Sequence, residues 1–374
     1  MTATPSLLTC QRIVIKIGSL TLTDGKNGKI REKWLATLAE DIRALRERGI
    51  EVVIVSSGAV TLGRAMLGLT HKHLELPEKQ ACAAAGQICL VQAWQEALAA
   101  HSIGVAQILI TAEDTEDRRR YLNARTTINT LLDYGMIPVI NENDTVTTAQ
   151  IRYGDNDRLA AAVAAMIGAD ALILLSDIDG FYTNNPKLDP SATLIELIED
   201  ITPEIEAMAG DAIETFSTGG MKTKIMAAQR AVAAGCHMVI AKGDIDHPLQ
   251  YIMDGKPCSW FRASESPLSA YKQWIASSLY FRGTLIVDDG AKRALTKGNS
   301  LLPAGVTRID GSFDRGDTVE IRDKNDQVLG MGIAIYSAAD ALQIIGKQSD
   351  AIESILGYKR RDELIHRDDM VITL

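Results

Sequence analysis

Residues 154–180 read GDNDRLAAAVAAMIGADALILLSDIDG. The stretch Asp157–Ile167 is rich in Ala and reads as a helix. Gly168 follows it, and a glycine there can adopt the left-handed conformation that ends a helix. Next comes Ala171–Leu175, apolar throughout and without alternation. A strand covered on both faces needs that pattern. The strand stops at Ser176-Asp177-Ile178-Asp179-Gly180, whose residues favour tight turns. A helix returning through glycine to a buried strand is the repeating unit of an α/β sheet.

The same unit recurs on both sides. Ile13–Ile17, Glu51–Val55, Val105–Ile110, Ile137–Ile140 and Met238–Ala241 also read as buried strands. Arg31–Arg48, Glu78–Ala100, Arg118–Tyr134 and Met221–Ala234 read as amphipathic helices. Gly49, Gly135 and Gly235 stand between a helix and a strand, as Gly168 does. The expected fold class is α/β, with a three-layer, mostly parallel sheet. From Arg282 the pattern changes to short strands separated by VDDGA, PAGV, IDGSFDRGD and DKNDQ, which are turn sequences. This predicts a small β-rich domain closing with a short helix near Ser349–Leu356. The change of pattern falls in 254–281, where Pro and Ser suit a connection and the aromatics suggest that it packs. The division read from sequence is 1–260 for the α/β domain, 261–281 for a connecting segment and 282–374 for the β-rich domain.

Length agrees with two domains, because 374 residues exceed the roughly 250–300 that one core supports. Apolar residues make up 46% and charged residues 23%, which excludes wholesale disorder. Asp and Glu outnumber Lys and Arg by 48 to 39, so a basic nucleic-acid footprint is disfavoured. The tail from Arg282 is itself acidic, with 13 Lys and Arg against 15 Asp and Glu. The apolar run Leu159–Ala169 falls short of the about 20 residues that span a bilayer. The first residues, MTATPSLLTCQR, lack the regions of a signal peptide. Five cysteines without a C-x-x-C pair read as reduced thiols, and a cytoplasmic location is expected.

In an open α/β sheet, ligands bind beyond the carboxyl ends of the strands. Lys16 lies inside the first strand, where its amine needs water or an anion. Gly18-Ser19 ends that strand, and Ser56-Ser57-Gly58-Ala59 ends the second and opens a helix. Free N–H groups at such a start suit an anion. Asn141-Glu142-Asn143-Asp144 follows the Ile137–Ile140 strand. Asp155-Asn156-Asp157 opens the helix quoted first, and Ser176-Asp177 ends its strand. STGGMKTK, residues 217–224, opens another helix. An Asp at a helix start is ordinarily a cap, and Ser-Asp-x-Asp-Gly ordinarily a turn. Anion-binding turns, lysines and carboxylates gathered at five strand ends suit phosphoryl transfer with a magnesium–nucleotide complex. Lys222 and Lys224 are two apart and cannot share a helix face, and spacing does not choose between them. No G-x-x-x-x-G-K-[ST], no protein-kinase H-R-D set, no G-x-G-x-x-G opening the first turn and no G-x-S-x-G is present. His71-x-His73 is the only close histidine pair and reads as a solvated turn.

Lys16-Ile-Gly-Ser19, Ser57-Gly-Ala59, Ser176-Asp177 and Thr218-Gly-Gly-Met-Lys-Thr-Lys224 resemble the amino acid kinase family. VINENDT, residues 139–145, and GDND, residues 154–157, are similar to its glutamate-phosphorylating branch. RGTLIVDDGA, LLPAGV, FDRGDTVEI and ILGY resemble a PUA domain, a module also found in RNA-modifying enzymes. Together these cover nearly the whole chain, from about Arg12 to Tyr358. The resemblance implies transfer of phosphate from ATP, with Mg2+, to the side-chain carboxylate of L-glutamate, the first step of proline synthesis. It implies that Ser57, Asp144 and Asn156 bind glutamate. It implies that Ser176, Asp177, Thr218, Gly219, Gly220, Met221, Lys222, Thr223 and Lys224 bind ATP. Lys16 and Lys224 would touch the moving phosphate, with Asp157 organising both, and Lys224 is thereby favoured over Lys222. No metal-ligating side chain is implied. Proline feedback and a homo-oligomer, a tetramer among the forms known in the family, are likewise implied. The chain departs from the family at Leu20, where a hydroxyl residue is usual, and at Arg152, where Lys is frequent. An N-acetylglutamate or aspartate kinase is the nearest alternative, and the GDND segment and PUA-like tail argue against it. RNA binding through the tail is the alternative of another class, disfavoured by its acidic balance.

Overall fold

A computed structural model describes residues 4–24, 28–69, 73–147, 156–210, 220–276 and 281–373. The chain separates into two compact units, Met1–Pro267 and Leu268–Leu374.

In the first unit, the strands of the main sheet are β1 (Arg12–Ile17), β2 (Glu51–Ser56), β3 (Val105–Ile110), β4 (Ile137–Glu142), β5 (Ala171–Ser176), β6 (Leu197–Ile198), β7 (His237–Lys242) and β8 (Ser259–Phe261). They form one sheet in the order β6-β8-β7-β5-β1-β2-β4-β3. All neighbours run parallel except β8, which is antiparallel to β7. The six strands read from sequence are all present. The two that sequence missed, β6 and β8, are too short to carry a pattern. The principal helices are α1 (Glu32–Glu47), α2 (Ala59–Met66), α3 (Leu76–Ala99), α4 (Arg118–Asp133), α5 (Asn156–Ile167) and α6 (Met221–Ala233).

Strand alternation sorts the side chains between two apolar layers. Ile13, Ile15, Ile17, Val52 and Ile54 pack with Trp34 and Leu38 of α1 and Leu90 and Trp94 of α3. Val14, Val53, Val55 and Leu172 pack on the opposite side with Ile128 of α4, Leu159 and Val163 of α5 and Ala228 of α6. The sheet is therefore the middle of three layers. The glycines expected to end helices do so with positive φ, for example 64° at Gly168 and 81° at Gly49.

Helices α2 and α3 approach so closely that two glycines are obligatory. A Cβ on Gly86 would lie 1.9 Å from the carbonyl oxygen of Ala59, and one on Gly63 would lie 1.8 Å from that of Cys82. Backbone atoms cannot move aside as a flexible side-chain end can. Gly86→Ala is expected to destabilise the protein by about 3 kcal/mol or more, beyond ordinary core overpacking. Urea unfolding checks this, and an unchanged midpoint would mean that the helices are not so tightly apposed. Among the described residues all five cysteines are free thiols, and burial pushes Cys10 up to about 12.

The second unit contains β9 (Gly283–Val287), β10 (Val306–Gly311), β11 (Thr318–Asp323), β12 (Val328–Ile333) and β13 (Met370–Ile372), in the order β10-β9-β11-β12-β13. Leu285, Val287, Val319, Ile321 and Tyr336 form its core. The short helix expected near its end is present as a turn of 3-10 helix, Ser349–Ala351, followed by Ile352–Leu356. It does not close the domain: the chain returns to add β13 beside β12. Three residues after the charged RDD run carry too little pattern to announce a strand. Within the segment expected to connect the domains, Pro267–Ala276 is helical, and the rings of Tyr271 and Trp274 stack 5.7 Å apart.

Candidate active site

Alternation along β1 places Lys16 on the same side as Val14, facing α5 and α6. There its Nζ lies 2.6 Å from Asp157 Oδ1. Lys224, in the first turns of α6, places its Nζ 2.8 Å from the other oxygen of the same carboxylate. Asp157 stands at the start of α5 and is 0% exposed, while the two lysine side chains are 9% and 8% exposed. Two ammonium groups from distant parts of the sequence thus share one buried carboxylate. Lys222 is exposed, as a residue two positions away on a helix must diverge.

Burial alone would raise the pKa of Asp157. The charges of Lys16 and Lys224, with the hydrogen bonds they donate, outweigh burial and hold it at about 2. A carboxyl held below its unfolded value of 3.8 stabilises the fold fully above that pH. The contribution fades as pH falls towards about 2. Urea midpoints measured from pH 5 to pH 2 are expected to fall steeply across this window. Asp157→Asn should flatten its share of that slope.

A second cluster surrounds the start of α5. Asn156 Nδ2 donates to Ser57 Oγ at 2.7 Å and to Asn141 Oδ1 at 2.9 Å. Asn141 Nδ2 donates in turn to Gln87 Oε1 of α3 at 2.9 Å. The Ser57 amide donates to the carbonyl of Ile17 at 3.0 Å, which joins the turns after β1 and β2. Gly58 opens α2 at φ 117°, a conformation that a side chain would strain. Asp144 is half-buried in the turn that follows β4.

A third group lies at the ends of β5 and β7. Ser176 Oγ donates to Asp177 Oδ1 at 3.2 Å. Lys242, in register with Ser176, donates from Nζ to the carbonyl of Asp177 at 2.8 Å. Gly220 precedes α6, and Thr223 Oγ1 donates back to its carbonyl at 2.7 Å. Met221 packs on the apolar layer beneath. Thr218 and Gly219 lie outside the described residues, as do Asp155, Arg152 and His71. Gly18 lies over Lys16, with a Cβ position 3.8 Å from Nζ. Leu20 is 68% exposed, so the missing hydroxyl leaves an apolar side chain in solvent. His73 is exposed.

The sequence reading anticipated Lys16, Asp157 and Lys224, and Ser57 with Asn156, as residues of one region. The structure brings each group into contact. Sequence did not single out Gln87, which sits mid-helix with no local signal. It did not single out Lys242 either, although a lone cation ending an apolar strand was visible. Among the described residues no cluster of three or more His, Cys, Asp or Glu could hold a metal ion. Among them, too, no helix is long and apolar enough to cross a membrane.

A buried lysine–carboxylate–lysine centre at the carboxyl edge of a parallel sheet holds positive charge where an anion can arrive. Residues 11–242 match the model of the amino acid kinase family, and the first unit falls in that class. Residues 283–356 match the PUA domain. The carbamate kinase from Giardia lamblia bound to AMP-PNP has a TM-score of 0.50 at 18% identity, over 69% of this chain and 100% of its own, which bears on the fold alone. A glutamate 5-kinase of Paramagnetospirillum magneticum is 56% identical over 98% of this chain and 99% of its own. One of Ruegeria sp. is 52% identical over 98% and 100%. The chain belongs to the glutamate 5-kinase family of amino acid kinases.

Proposed function

We propose that the protein transfers the γ-phosphoryl group of ATP to the side-chain carboxylate of L-glutamate. The product is L-glutamyl 5-phosphate, and the reaction opens proline biosynthesis. The observation that carries this reading is the pair of buried ammonium groups on Asp157, in a chain of this family.

The nucleophile is a carboxylate, ionised at neutral pH, so no general base is needed. One of its oxygens attacks the γ-phosphorus. The new P–O bond makes an acyl phosphate, the bond to the β,γ-bridging oxygen breaks, and ADP leaves with that electron pair. The obstacle is repulsion between two anions. Lys16 and Lys224 lower it by presenting fixed positive charge, and their common carboxylate keeps them from swinging into solvent. Asp157 acts through the lysines and touches neither substrate. Ser176, Asp177 and the segment 218–224 hold the nucleotide, with Lys242 tying down the Ser176-Asp177 turn. Ser57, Asp144 and Asn156 hold glutamate. Mg2+ bound with the nucleotide would be held mainly by phosphate oxygens and water, and would neutralise part of the phosphate charge.

Ser57→Ala or Asn156→Ala should raise KM for glutamate about tenfold, the scale of one buried hydrogen bond. KM for ATP should stay near wild type. An unchanged glutamate KM would remove these residues from the site. The protein acts in the cytoplasm as a homo-oligomer, and proline binds competitively at the glutamate site. Trapping with hydroxylamine tests the substrate. Glutamate should yield hydroxamate, while N-acetylglutamate and aspartate should yield little. A preference for either of the latter would overturn the reading.

A further inference from the structure

The hydrogen bonds around Asn156 have a fixed direction, which the backbone amide of Glu142 sets and which ends on Gln87. The backbone amide of Glu142 donates to Asn141 Oδ1 at 2.9 Å. A backbone N–H cannot exchange roles, so the Asn141 oxygen must face it. The same oxygen accepts from Asn156, so Asn156 must present its nitrogen there. That nitrogen also donates to Ser57 Oγ, which commits both of its N–H groups. Asn156 is left with its carbonyl oxygen to offer a ligand. Ser57 accepts from Asn156 and so keeps its own O–H to donate. At the other end, Asn141 Nδ2 requires an acceptor, which makes Gln87 present Oε1 and turn Nε2 away. Gln87 is 8% exposed. Its Nε2 is buried and has no hydrogen-bond partner among the described residues. A buried donor without a partner is costly, and such groups are rarely left so.

We propose that Gln87 is a substrate-positioning residue that anchors the end of the Asn141–Asn156–Ser57 chain through Oε1 and donates from Nε2 to the bound amino acid. The chain then offers an acceptor, Asn156 Oδ1, and two donors, Ser57 O–H and Gln87 N–H. An α-amino acid brings the complement, an ammonium group and carboxylate oxygens. Helix α3 is held in place for this role, because Gly86, next to Gln87, lets its backbone touch the start of α2 just after Ser57-Gly58. Gln80 ties the same helix to the segment after β4, donating from Nε2 to the carbonyl of Thr147 at 3.2 Å. The inference rests on the assignment of Ser57 and Asn156 to glutamate.

The test uses the full-length protein and two variants. Gln87→Glu keeps the acceptor for Asn141 and loses the donor, while adding a negative charge for which the neutral Gln87→Leu is the control. Gln87→Leu removes both. Glutamate KM, and glutamate affinity by calorimetry without ATP, should weaken about tenfold in Gln87→Glu and further in Gln87→Leu. ATP KM should stay within twofold and kcat within about threefold. A purely structural role would instead lower kcat and thermal stability while leaving the KM values alone. Should Gln87→Leu fail to fold, the near-isosteric Gln87→Glu carries the test. Glutamate affinity within twofold of wild type in Gln87→Glu would overturn the donor role, and in Gln87→Leu the whole inference. A wild-type protein that makes no glutamyl hydroxamate would instead overturn the reading on which the inference rests.

Discussion

Lys224→Ala is expected to cut turnover by about 10²–10³-fold, the scale of removing one pre-positioned electrostatic group from a phosphoryl-transfer site. The reason is geometric. Lys224 is held 2.8 Å from a buried carboxylate, so its charge is fixed before substrate arrives. Lys16, held at 2.6 Å from the same group, should behave alike. Lys224→Arg is not expected to rescue, because a planar fork cannot replace a point charge in that space. Lys222→Ala should be milder, since its side chain is exposed and faces away from Asp157. Steady-state hydroxamate formation reads the effect, with circular dichroism to establish that each variant is folded. A folded Lys224→Ala protein within tenfold of wild type would remove Lys224 from the reaction.

Asp157→Asn should damage both stability and turnover. The carboxylate is fully buried and pairs with two ammonium groups that are themselves nearly buried. Removing one partner of such a set costs about 3–5 kcal/mol, because the remaining charges stay desolvated and here also repel each other. An amide can accept a hydrogen bond but supplies no negative charge. Turnover should fall because the lysines lose their fixed positions. ATP should raise the melting temperature of Asp157→Asn more than that of wild type, since phosphate oxygens supply the missing countercharge. A variant as stable as wild type, with no added response to ATP, would contradict the shared-carboxylate arrangement.

Much of this was legible in the residues. The buried strands announced themselves as unbroken apolar runs, and Gly168 and its counterparts marked the ends of the helices before them. Lys16 was conspicuous as a charge inside such a run. Alternation puts it on the side of Val14, and that the helices bearing Asp157 and Lys224 cover that side came from the structure. The short strands β6, β8 and β13 were not legible, because two or three residues cannot establish a period. The two lysines of α6 were equivalent by spacing; the family resemblance favoured Lys224, and Lys224 is the one that is buried. Gln87 escaped for another reason. Its significance lies in partners 54 residues away, in a hydrogen bond to Asn141 that no local pattern encodes.

The central claim is that a side-chain carboxylate oxygen of glutamate attacks the γ-phosphorus of ATP. Glutamate labelled with 18O in that carboxylate tests it directly. The labelled oxygen becomes the bridge of the acyl phosphate. Hydroxylamine then attacks the carbonyl carbon and releases phosphate that retains the bridge. Mass spectrometry of the released phosphate should find one 18O per molecule, in step with hydroxamate formed. Phosphate without label would mean that water, not glutamate, had attacked ATP, and would contradict the account.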